Sequence, residues 1–82
     1  MKVTYSKTSL KQLKKLTGTK QIEILKKIEK LKNDPDASKK LKGPLKNFRS
    51  LKAWPYRIIY QYSENNKTIF INIIQHRGSV YK

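Results

Sequence analysis

The sequence predicts an α+β fold in the order β-α-α-β-β-β, a helical hairpin packed on one face of a small, mostly antiparallel sheet. Three observations predict it. Apolar residues recur at helical spacing across 7–16 and again across 20–32. The second half alternates with period two instead, most plainly in Tyr56-Arg-Ile-Ile-Tyr-Gln-Tyr62 and in Thr68-Ile-Phe-Ile-Asn-Ile-Ile-Gln75. The chain has 82 residues, room for one core, so residues 1–82 form a single domain.

Met1 to Tyr5 carries Val3 and Tyr5 at alternate positions and reads as a short first strand. Ser6 caps a helix over Lys7 to Leu16, with Leu10, Leu13 and Leu16 as its apolar stripe. Thr17-Gly18-Thr19 breaks it: Gly18 suits a left-handed C-cap and Thr19 the next N-cap. The second helix spans Lys20 to Lys32. Ile24, Ile28 and Leu31 point inward with Leu25 alongside, Lys26, Lys27 and Lys30 point out, and Asn33-Asp34-Pro35 ends it.

Asp36 to Asn47 reads as a lysine-rich loop, anchored by Leu41 and Leu45 and turned at Gly43-Pro44. Phe48 to Ala53 is a short strand, and Trp54-Pro55 forces a turn or an edge because proline cannot donate a ladder hydrogen bond. Tyr56 to Tyr62 follows, with Tyr56, Ile58, Tyr60 and Tyr62 on one face and Arg57, Ile59 and Gln61 on the other. Glu64 to Lys67 is a hairpin loop in which Asn65 and Asn66 tolerate positive φ. Thr68 to Gln75 is an interior strand, with Ile69, Ile71 and Ile73 on one face and Phe70, Asn72 and Ile74 on the other. His76 to Lys82 is the tail.

Charge narrows the function. Twenty Lys and Arg against five acids give a formal net charge of +15. Such a field draws polyanions, nucleic acid first and an acidic protein second; a lysine coat kept for solubility is the bland alternative. There are no cysteines, hence no disulfides, thiolate zinc sites or cysteine nucleophiles. No carboxylate pair sits in an apolar setting, and with one His no protein-only metal site and no cofactor is expected. No P-loop, dinucleotide fingerprint or GxSxG is present. No membrane-length apolar run or signal peptide is visible, so a cytoplasmic location is the default.

Cations, tyrosines and one imidazole suit one reaction class. RNA cleaved by its own 2′-hydroxyl needs an in-line geometry, a base, cations on the phosphorane and a proton for the leaving 5′-oxygen. Arg57, in the middle of a sheet face, meets water or an anion there; a structural ion pair is its alternative. His76 can carry protons near neutrality, or lie idle in solvent at a strand end. Tyr56, Tyr60 and Tyr62 read as core and rim aromatics rather than base-stackers, and Trp54 as a packing lid, with base stacking its lesser alternative.

Leu41-Lys-Gly43, then Phe48-Arg-Ser-Leu-Lys-Ala-Trp-Pro-Tyr-Arg-Ile-Ile-Tyr60, then His76-Arg-Gly-Ser-Val-Tyr81 resembles the RelE/ParE superfamily of bacterial and archaeal toxins over nearly the whole chain. The resemblance implies the toxin of a type II toxin–antitoxin pair. RelE-like members are ribosome-dependent mRNA endoribonucleases that work without metal, ParE-like members poison DNA gyrase, and an antitoxin wraps and silences both. It implies catalytic roles for Arg57, His76, Arg77 and the late aromatic Tyr81, and substrate contacts for Arg49 and Lys52. Lys42 and Lys46 belong with the cations that hold RNA backbone or an acidic partner. Alternation puts Arg49 and Lys52 on opposite faces unless a bulge near Trp54-Pro55 intervenes. The implied partners are an acidic cognate antitoxin, the ribosome and mRNA, with DNA met only through the antitoxin complex. A gyrase inhibitor and a non-catalytic basic nucleic-acid-binding module are the rival readings.

Overall fold

A computed structural model describes residues 1–34, 39–40 and 48–76, the pair 39–40 through its backbone. β1 (Lys2–Tyr5) leads into α1 (Lys7–Lys15) and α2 (Gly18–Asn33). The chain then forms β2 (Lys39–Lys40), β3 (Arg49–Ala53), β4 (Tyr56–Ser63) and β5 (Thr68–His76). The sheet order is β1-β5-β4-β3-β2, antiparallel except where β1 runs parallel to β5. The α+β class and the interior place of β5 are as expected. The loop assigned to 36–47 is not one loop: Lys39 and Lys40 pair with Ser50 and Arg49 as an edge strand. Two residues are too few to leave a period, and short, lysine-bearing edge strands resist pairing with other chains.

The core lies between the helices and one face of the sheet. Leu13 of α1 and Ile24, Ile28 and Leu31 of α2 meet Ala53, Ile58, Tyr60, Ile69, Ile71 and Ile74. Ile74, not Ile73, joins Ile69 and Ile71 there. Ile59 pairs with Ile73 but Tyr60 with Ile71, so β5 carries an extra residue, Asn72, in a bulge. One extra residue reverses the alternation beyond it. A uniform period of two therefore misplaces every β5 side chain after the bulge.

α1 differs from its expected stripe in the same region. Leu10 is exposed, while Ser9 is fully buried. Ser6 caps the helix by accepting from the Ser9 N–H at 3.0 Å. The Ser6 hydroxyl also donates to the Asn72 carbonyl at 2.6 Å, and the Ser9 hydroxyl lies 2.9 Å from the Ile71 carbonyl. Gln12 accepts from the Ile74 N–H at 2.6 Å. Polar side chains at 6, 9 and 12 thus dock α1 on the edge of β5 that β1 leaves uncovered after Ile71.

Two turns also move. α1 ends on Leu16, and α2 starts at Gly18 rather than Lys20, with Thr17 at its N-cap. Gly18 has φ +39 with nothing within 4 Å of the position a Cβ would take, so glycine serves backbone conformation there, not space. In the β4–β5 loop the positive φ falls on Lys67 rather than Asn65 or Asn66. The Lys67 N–H closes onto Glu64 at 3.3 Å, so the chain turns first and corrects its direction one residue later.

Two stability predictions follow from these contacts. Ser9→Ala removes the buried donor at the β5 edge and should cost about 1–3 kcal/mol by urea denaturation; a loss near zero would mean that Ser6 alone holds the helix. Burial raises the pKa of the Tyr5 hydroxyl, Lys32 pulls it back and Glu29 adds to the rise. The unfolded phenol ionises first, near pH 10, so this contribution is complete below about pH 10 and is lost as pH climbs through the higher folded value. Tyr5→Phe should therefore lose less stability than the parent between pH 9 and 11, and parallel urea midpoints would refute it.

Candidate functional site

β3 and β4 are joined only by Trp54 and Pro55, so their register is tightly set. It places Lys52 directly opposite Arg57. Ile58 and Tyr60 are fully buried beneath the helices, so Arg57, Ile59 and Gln61 occupy the face turned away from them. Lys52 and Arg57 are both exposed. The ion pairs Lys20–Glu23 and Lys32–Glu29 lie on α2, and among the described residues no carboxylate lies against Lys52 or Arg57. Like charges facing each other across a ladder destabilise a sheet. A pair kept in that arrangement reads as a receptor for an anion.

Amides complete the surface. Gln75 is the register partner of Arg57, and the Asn72 side chain donates to Gln61 Oε1 at 3.3 Å. Ile59 faces Ile73 and leaves a half-buried apolar strip beside the cations. The arginine fork can grip two phosphate oxygens and the lysine can add a point charge. No carboxylate or imidazole lies on this face among the described residues. The amide partners were not picked out from sequence, because only the bulge brings Gln75 opposite Arg57.

His76 sits apart. It pairs with Tyr56, on the helix-facing side, where the two rings meet edge to face at 5.1 Å and 82°. It lines a cleft of about 480 Å³ with Thr8, Gln12 and Lys15 of α1. The sheet therefore stands between His76 and Arg57. Arg49 pairs with Tyr60, and the β3–β4 ladder runs without a bulge, so Arg49 and Lys52 stay on opposite faces. Arg77, Tyr81, Lys42 and Lys46, like Leu41, Leu45 and the Gly43-Pro44 turn, lie outside the described residues. Trp54 is 69% exposed, so as a packing lid it covers little. Among the described residues no helix is long and apolar enough to cross a membrane.

Fold and face define a small basic α+β protein with a cationic sheet surface. Residues 3–81 match the family model described as the ParE toxin of type II toxin–antitoxin system, parDE. A Methanocaldococcus jannaschii protein assigned as toxin RelE4 is 31% identical over 74 residues, covering 89% of this chain and 79% of its own. A chain in the RelBE2 toxin–antitoxin complex of Mycobacterium tuberculosis superposes with TM-score 0.84 at 23% identity, over 93% of this chain and 96% of that one. A chain of the RelB-RelE antitoxin–toxin complex from Methanococcus jannaschii gives 0.75 at 28% identity, over 95% and 94%. The chain belongs to the RelE/ParE superfamily of toxins of type II toxin–antitoxin systems.

Replacing Lys52 separates the two consequences of the cationic pair. Lys52→Ser should stabilise the free protein by about 0.2–1 kcal/mol by relieving repulsion. It should also reduce the salt slope of binding to any polyanion that this face takes by about 1. A variant that gains no stability and keeps its slope would show that the two charges neither repel nor share an anion.

Proposed function

We propose that this toxin is a ribosome-dependent mRNA endoribonuclease that cleaves with the RNA's own 2′-hydroxyl and without a metal ion. The observation that carries the reading is Lys52 opposite Arg57 on an exposed sheet face with no carboxylate against them among the described residues. The 2′-oxygen attacks the adjacent phosphorus and the bond to the 5′-oxygen breaks. The hydroxyl proton leaves to a base and another proton reaches the 5′-oxygen, giving a 2′,3′-cyclic phosphate, or a 3′-phosphate after hydration, and a 5′-hydroxyl. Arg57 grips the non-bridging oxygens while their charge grows, and Lys52 reinforces it.

Metal independence rests on donors: five acids and one His in the whole chain, with neither type on this face among the described residues. His76, on the α1 side, acts in this reading by holding Tyr56 and the end of β5 in place. Arg77 and Tyr81, next along the chain, are assigned to the reacting groups, and Lys42 and Lys46 to the RNA backbone, while Arg49, on the helix-facing side opposite Tyr60, is left out of this contact. An acidic cognate antitoxin silences the toxin by setting carboxylates where the phosphate would lie. Relatives of this fold in complex with antitoxins support that partner.

A ribosome-supplemented cleavage assay with mapping of RNA 5′ ends tests the reading. Arg57→Ala should lower kcat/KM by about 10²–10³. His76→Ala should lose less and keep the pH profile of the parent. Equal cleavage by wild type and Arg57→Ala would sink the proposal. The match to ParE toxins favours a second reading, a gyrase inhibitor without nuclease activity. Inhibition of DNA supercoiling with no mRNA cleavage would put that in its place. Steeply salt-dependent RNA binding with no toxicity on expression would leave only a basic binding module.

A further inference from the structure

On the other side of the sheet, where the β3–β4 turn meets α2, lies a cleft of about 250 Å³. Ala53 and Trp54 line it from the sheet, and Glu23, Lys26, Lys27 and Lys30 from the helix. The arrangement follows from the sequence. Ile24, Ile28 and Leu31 turn one side of α2 into the core, which sets Lys27 and Lys30 on the flank beside the turn. Ala53 is buried as the last residue of β3, and the turn then leaves the chain's one tryptophan 69% exposed.

We propose that this cleft is a second RNA contact, a subsite where one unpaired base stacks on Trp54 while the flanking phosphates meet Lys26, Lys27 and Lys30. The proposal rests on RNA being the ligand of the opposite face. The cleft is smaller than the roughly 300–1,000 Å³ of a drug-sized site, which suits a single flat ring. Every base has a π-face, so an indole beside ammonium groups binds single strands with little regard to sequence. Glu23, at the rim and 3.6 Å from Lys20, can accept from a base amino group but repels acidic side chains. An acidic helix would want apolar anchors at i, i+3 or i+4 spacing, and here the apolar lining is one tryptophan and one alanine. Lys52 and Trp54 are two residues apart, so their Cα atoms lie within about 7 Å. One strand can round the turn and touch both places.

The single tryptophan makes the cleft directly observable. Its fluorescence would be titrated with a short single-stranded RNA whose 2′-oxygens are methylated, so that it binds without being cleaved. Saturable quenching is expected in wild type and also in Arg57→Ala. Trp54→Phe should keep the affinity measured by anisotropy of a labelled RNA, and Trp54→Ala should lose about tenfold. Lys27→Glu with Lys30→Glu should abolish quenching while circular dichroism stays that of the parent. The inference is overturned if RNA leaves the fluorescence unchanged, or if an oligoglutamate peptide quenches it as strongly. Loss of quenching with cleavage still dependent on Arg57 rejects this subsite alone. Quenching that persists when Arg57 proves irrelevant to cleavage rejects the nuclease and keeps the subsite.

Discussion

The fold turns on the carbonyls of Ile71 and Asn72. β1 ends there, with Tyr5 beside Ile71 and the Ser6 N–H donating to the Ile71 carbonyl at 2.9 Å. α1 begins there, its first turn held by the Ser6 and Ser9 hydroxyls. β5 bulges there too. Beyond this point β5 has no strand on its β1 side among the described residues, and an unpaired N–H or carbonyl at the core boundary is costly. Gln12 meets the Ile74 N–H, so helix side chains take over the pairing that a longer β1 would have supplied. Every later position on β5 inherits its direction from that junction.

The site is one of those inheritances. Without the extra residue, counting back from Ser63 opposite Thr68 would set Ile74 beside Arg57 on the outer face and take it out of the core. With it, Ile74 turns into the core, Gln75 faces Arg57 and His76 faces Tyr56. The bulge thus gives the two halves of β5 opposite duties. It also separates the imidazole from the guanidinium, which sequence spacing alone would have allowed on one surface.

Much of this architecture was legible because burial leaves a period. Ile24, Ile28 and Leu31 are inward in the structure as their spacing says, and β4 alternates without interruption from Tyr56 to Tyr62. Arg57 fell on the outer face for the same reason. What stayed hidden has no period. Ser9 is buried because it bonds to a strand edge, a role that apolar counting assigns to Leu10 instead. The bulge at Asn72 adds one residue inside an unbroken β-favouring run, so nothing in composition marks it. The paired Lys39 and Lys40 are too short a segment to show a pattern. The candidate cations could be named one by one, but their partnership could not, because Lys52 meets Arg57 only through a register that the turn defines.

That turn also decides how the net charge of +15 acts. Salt screens charges beyond about 8 Å at physiological ionic strength, so most lysines on the far side of α2 contribute only a diffuse attraction. Lys52, Arg57 and the lysines lining the Trp54 cleft converge on the few residues that join β3 to β4. A polyanion there would meet cations on both faces of the sheet within one or two chain units. The repulsion among those cations opposes folding in the free protein. It is tolerable because Ile58 and Tyr60, fully buried beneath them, hold the ladder together. The cationic turn and the apolar ladder are therefore one design: the core supplies the rigidity that holds like charges close together.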